Sequence, residues 1–256
     1  MSKRQRFIIT SLVLSLGFVA IQFLTDQNRF WAIAALGILT IILFMWSLWE
    51  GLDKDMTLLT LVLPTIFTVG VGIFWFLLPT NIYTRIPIVI FYGIGIYVLC
   101  LTMNIFSVAA VRTIALLRAA RGVGFVLSLV TSFLVFDTIL SLKSEIYILT
   151  PLVFLVSMLL FLQGYWTVLL EKKFSMEVLS FSLISAVVTS EVALALYFWP
   201  LTVVVGSLFL TVAFYILLGL GQAKLEDRLF SGTVREHLVI GLLVFTSMFF
   251  ATHWGQ

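Results

Sequence analysis

Asn104–Gly124 reads NIFSVAAVRTIALLRAARGVG, and it decides how the rest of the chain is read. It carries Arg112, Arg118 and Arg121, yet almost everything between them is apolar. On a helical wheel Arg112 shares its face with Ile105, Val108, Ala109, Leu116 and Ala119, and the opposite face holds Phe106, Ala110, Ile114 and Leu117. A helix that is apolar all round is surrounded by protein or lipid rather than lying half in water. Long apolar runs flank the stretch on both sides. It therefore reads as a basic join on the cytoplasmic side between two sets of membrane helices.

Composition agrees. The chain is 62% hydrophobic and 11% charged, with a mean hydropathy of +1.18. Soluble domains are roughly half apolar and a quarter charged. So much apolar surface needs lipid as its solvent. The predicted spans are Phe7–Leu24, Trp31–Trp49, Thr57–Leu78, Ile86–Met103, Val123–Leu142, Ile146–Leu170, Met176–Phe198, Leu201–Gly221 and His237–Trp254. Each suits a helix crossing about 30 Å of hydrocarbon at 1.5 Å per residue. Barrel strands would be about half as long and would alternate polar with apolar residues. The expected fold is an all-α, polytopic membrane bundle of nine helices. It divides into a first bundle (1–103), the basic join (104–122) and a second bundle (123–256).

Basic residues set the expected orientation. With the N-terminus cytoplasmic, twelve of the 15 Lys and Arg fall inside; only Arg29, Arg85 and Lys143 fall outside. The C-terminus is then outside. The short loops and basic N-terminus fit a prokaryotic cytoplasmic membrane. Trp and Tyr cluster toward predicted helix ends, as at interfaces; Tyr165 and Trp166 are assigned to the inner belt, while Tyr92 and Tyr97 sit deeper.

An unbroken helix from Ile86 to Arg121 would be about 54 Å long, too long for the bilayer. A break or bend is expected near Asn104–Ser107. Arg112 is expected to be buried against a carboxylate, with Glu50, Asp53, Asp55 and Glu171 as the candidates on that side, because a buried guanidinium needs a partner. Asn104, Arg112, Arg118 and Arg121 form the candidate inner-face ion pair or anion site; ordinary positive-inside anchoring is the simpler reading. Pro64, followed by Gly70 and Gly72, predicts a kink in the third span.

Two carboxylates stand out in the second bundle. Glu191 lies on the seventh span with Ile184, Val187, Leu194 and Phe198. The opposite face is a stripe of Ser182, Ser185, Ala186, Thr189, Ser190 and Ala193, which suits close helix packing. Counted back from Pro200, Glu191 is about 13 Å along the helix. Asp137 lies in the outer half of the fifth span. Ionisable groups at such depth mark functional sites by default. Glu191, Asp137 and Tyr97 are thus the candidate polar or ion site, expected to line a pocket open to the outside. For Asp137 the simpler reading is that it snorkels toward the outer surface or bonds to Thr138, Ser141 or Lys143.

Enzyme motifs are missing: there is no His-Glu-x-x-His and no Gly-x-Ser-x-Gly. One cysteine, Cys100, and two histidines make a poor metal set, so neither metal nor cofactor is expected. The recurring Gly-x-Gly pairs follow no strand and make no nucleotide fingerprint. No basic domain suggests nucleic acid. The expected function is a small transporter or permease-like protein with a polar site in the outer half of the membrane. The alternative is a structural or assembly subunit that packs against other membrane proteins or further copies of itself; a lipid-modifying enzyme ranks last. The lipid bilayer is the one partner composition demands.

Overall fold

The structure is a computed structural model that describes residues 2–21, 23–24, 26–51, 56–77, 82–110, 115–171 and 175–252. Among these residues it is all helix with no strand. Nine helices are long and apolar enough to cross a membrane. They are α1 (Lys3–Ile21), α2 (Asp26–Leu48), α3 (Val62–Phe74), α4 (Ile82–Ala109), α5 (Leu117–Ser141), α6 (Ile146–Leu169), α7 (Met176–Tyr197), α8 (Val203–Leu225) and α9 (Ser231–Ala251). The α3 span is lengthened by 3-10 segments at Met56–Leu61 and Trp75–Leu77.

Several ends differ from expectation, for one reason. Hydropathy marks where lipid ends, but the helical hydrogen-bond ladder continues into water where charged residues are good helix formers. α1 therefore starts at Lys3, α8 runs on to Leu225 and α9 begins at Ser231. α4 runs through Asn104–Ser107 and ends close by, at Ala109, and α5 starts at Leu117 with Arg118 and Arg121 in its first turns. Pro64 does not kink a continuous helix. It occupies the first turn of α3, where a 3-10 segment gives way to α-helix and a missing N–H costs least. Thr65 Oγ1 donates to Leu61 O at that junction (2.7 Å).

The chain forms two compact units: Met1–Leu127 with Leu170–Phe174, and Ser128–Leu169 with Ser175–Gln256. In the first, α1 packs on α2 and α4, and α2 packs on α3. Thr10 and Ser47 hydroxyls meet at 2.6 Å between α1 and α2. Ser11 Oγ donates to Gly93 O at 2.6 Å between α1 and α4. Gly93 permits that approach, since a Cβ there would lie 2.7 Å from Ser15 Oγ. The core is aromatic: Phe18, Phe67, Trp75 and Tyr92 pack ring against ring. Tyr92 is fully buried, with its hydroxyl 3.2 Å from Thr68 Oγ1, which lies 3.1 Å from Thr40 Oγ1.

Glu50, just past α2, binds two cations of α1. Lys3 Nζ lies 2.8 Å from Oε2, and Arg6 Nη2 donates to Oε1. These bonds, first from Lys3 and then from Arg6, hold the Glu50 carboxyl below its ordinary value of 4.5. A depressed carboxyl adds stability above its unfolded pKa and loses it as pH falls through the folded value. Glu50→Gln is expected to flatten the loss of thermal stability between pH 5 and about pH 3. Melting curves of the purified protein across that range check this; an unchanged acid slope would refute it.

In the second unit α7 lies along α6, and α8 packs on α6, α7 and α9. Tyr165 and Trp166, expected at the interface, are fully buried instead. Phe161 stacks between Tyr165 and Phe214, with centroids at 5.6 and 4.4 Å. Tyr165 Oη donates to Leu217 O (3.0 Å) and lies 2.7 Å from Ser185 Oγ. One hydroxyl thus ties α6 to α7 and α8. Gly221 leaves room for that ring. α9 is attached through α8, where His237 stacks on Tyr215 at 5.2 Å.

Candidate functional site

The two carboxylates belong to the second unit, and Tyr97, Asn104, Arg118 and Arg121 to the first. Asp137 is buried in α5. Its Oδ1 accepts from Ser207 Oγ of α8 at 3.1 Å. Ser207 Oγ also lies 3.0 Å from Val204 O, so one hydroxyl proton faces two acceptors. Thr138, expected as a partner, donates to Leu134 O of its own helix instead. The bond to Ser207 could not be read from sequence, because 70 residues separate the two.

Leu140 lies one turn beyond Asp137, and Gly206 adjoins Ser207. Both line a pocket of about 300 Å³ together with Lys143, Ser144, Trp199 and Thr202. Lys143 ends α5 with a positive φ of 45°. Ser144 Oγ is buried without a hydrogen-bond partner. Trp199 Nε1 donates to Thr252 Oγ1 at 3.1 Å. The pocket offers a cation, hydroxyls and an apolar wall to a small polar molecule. Glu191 does not line it.

Glu191 lies on the exposed side of α7. Its face continues through Ile184, Val187, Leu194 and Phe198, which are 60, 40, 38 and 75% exposed. Glu191 makes no hydrogen bond or ion pair among the described residues. The small-residue stripe on the other side is buried, as its composition predicts. Glu191 is six residues, about 9 Å by the helical rise, from the end of α7 at Tyr197. It lies within the apolar length. Exposed leucines and phenylalanines on a membrane helix meet lipid at no cost. A carboxylate that faces lipid is costly unless a donor meets it.

Tyr97 belongs to the first unit, and Glu191 and Asp137 to the second. It lines a groove between α1 and α4 with Arg4, Ser11 and Ser15. On the basic join, Asn104 is half-buried, Arg118 exposed and Arg121 half-buried. Arg112, Asp53 and Asp55 lie outside the described residues. Glu50, expected as a candidate for Arg112, is bound by Lys3 and Arg6. Sequence reading missed this cluster; its signal was three bases in the first six residues and one acid at the end of the second span. No group of three or more metal-ligating side chains is found among the described residues.

A family model matches residues 30–251, which takes in eight of the nine helices and both carboxylates. The chain belongs to the family DUF5656. Its members are described as proteins of unknown function. No curated protein matches the chain, and neither does any solved structure. Membership therefore brings no reaction or ligand with it, and the chemistry has to come from the side chains described above.

Proposed function

We propose that this DUF5656 protein is a structural or assembly subunit of a membrane complex, and that the exposed face of α7 docks against another membrane helix. The observation that carries this reading is Glu191, unpartnered on an exposed apolar face. An acidic residue at the centre of a membrane helix costs up to about 3 kcal/mol. A neighbouring helix that supplies a Lys, Arg, Asn or hydroxyl at the same depth removes that cost. The partner is therefore a membrane helix with a hydrogen-bond donor in its outer half, flanked by apolar residues that fit Val187 and Leu194. The protein resides in the cytoplasmic membrane of a prokaryote, with its N-terminus inside, as the positive-inside count supports. Topology reporters fused after Asp227 and after Gln256 are expected to read opposite sides; the same side would overturn the orientation.

The second reading, a small transporter, rests on the pocket beside Asp137 and Ser207. Reconstitution separates the two. The purified chain in liposomes is expected to show no proton or cation flux that depends on Asp137 or Glu191. Flux abolished by Asp137→Asn or Glu191→Gln would replace the assembly reading with the transport one.

A further inference from the structure

We infer that the groove between α1 and α4 holds one anionic glycerophospholipid, drawn from the leaflet that contains the start of α1. This site is independent of the α7 face and of the transport pocket. The groove encloses about 490 Å³, and its polar members cluster in a definite order. Arg4 stands at one end. Ser11 and Gly93 mark the place where the two helices touch, and Ser15 and Val89 lie at the far end. From Arg4 to Ser15 is about 16 Å along α1, which is close to one leaflet of hydrocarbon, about 15 Å.

Charge and hydrogen bonding select the occupant. Of the three bases at the start of α1, Lys3 and Arg6 share the one carboxylate of Glu50. Arg4 is exposed and has no ion pair among the described residues. It is left to hold a phosphate, for which a guanidinium offers paired donors. The Tyr97 hydroxyl, further in, has no partner among the described residues. A phenol at that depth needs one, and an ester carbonyl of a lipid lies just below its phosphate. Beyond it the walls are apolar: Leu12, Ile90 and Ile94 are 57, 56 and 60% exposed. They suit an acyl chain. The head is thus met by a cation, the glycerol ester by a hydroxyl and the tail by branched aliphatics, in the order in which a phospholipid presents them.

Native mass spectrometry of the purified full chain, titrated with dioleoylphosphatidylglycerol or dioleoylphosphatidylcholine, tests this. The expected result is one tightly retained phosphatidylglycerol and weaker retention of phosphatidylcholine. Arg4→Gln is expected to weaken phosphatidylglycerol about fivefold, the worth of one basic residue at an anionic membrane surface. Arg235→Gln removes the same charge from an exposed site outside the groove and is expected to change nothing. Ile94→Trp, or Ile90→Trp if the first variant folds poorly, fills the groove from an exposed position and is expected to abolish retention of both lipids. Equal retention of the two lipids by the parent would overturn the inference. So would equal losses in Arg4→Gln and Arg235→Gln, or undiminished binding in the groove-filling variants.

Discussion

Replacing Gly221 by alanine is expected to cost about 3 kcal/mol of stability, at the upper end of what overpacking does in a filled core. A Cβ at Gly221 would collide with Cε1, Cζ and the hydroxyl of Tyr165. The ring has nowhere to go. It is fully buried and stacked on Phe161, and its hydroxyl joins α6 to Ser185 of α7 and Leu217 of α8. Any shift that admits the new methyl breaks one or both bonds and leaves the buried Tyr165 hydroxyl short of a partner, which itself costs about 1–3 kcal/mol. Gly232→Ala is the control, because a Cβ there meets nothing within 4 Å. That change is expected to be neutral or mildly stabilising, since glycine weakens a helix by about 0.5–1 kcal/mol relative to alanine. Thermal unfolding of both variants in one detergent checks the contrast; equal melting would mean that Tyr165 is not the tie between these helices.

Glu191→Leu is expected to act in opposite directions on the lone chain and on its assembly. In the lone chain it removes an unpartnered carboxylate from the apolar face of α7, relieving part of the roughly 3 kcal/mol cost of an acid in a membrane helix. The purified monomer should melt higher. In the assembly the same change deletes the hydrogen bond that recognises the partner. Such bonds between membrane helices contribute about 1–2 kcal/mol, so dissociation should strengthen about 5- to 30-fold. Glu191→Gln, which keeps an acceptor and the shape, should retain most of the assembly. A chain whose melting and assembly both ignore the Leu substitution has a lipid-facing carboxylate of no consequence.

The number of helices and their approximate spans were legible because apolar runs of the right length have one solution in lipid. Helix ends were not, because the ladder runs past the hydrocarbon where Lys3, Arg118, Lys224 or Arg235 continue it. The buried side of α7 could be read from its stripe of serine, threonine and alanine, and Glu191 was correctly set on the other side. Whether anything covers that side depends on packing between distant segments, which spacing does not encode. Tyr165 shows the same limit. A tyrosine five residues before the end of a predicted span looks interfacial, and only the fold reveals Gly221 opposite it. Asp137 was found by its charge, its partner Ser207 only by geometry. Tyr97 was read by depth alone, and spacing did not show the groove between α1 and α4 that it lines.

The central claim is that the Glu191 face of α7 is an interface. Site-specific photo-cross-linking in native membranes tests it most directly, with a photoreactive residue at Val187 and, as the reference, at Leu243 on the exposed side of α9. The account predicts one discrete protein adduct from position 187, lost when Glu191 is changed to leucine and kept with glutamine, and only lipid adducts from 243. Lipid adducts alone at 187, or a protein adduct indifferent to Glu191→Leu, would contradict it.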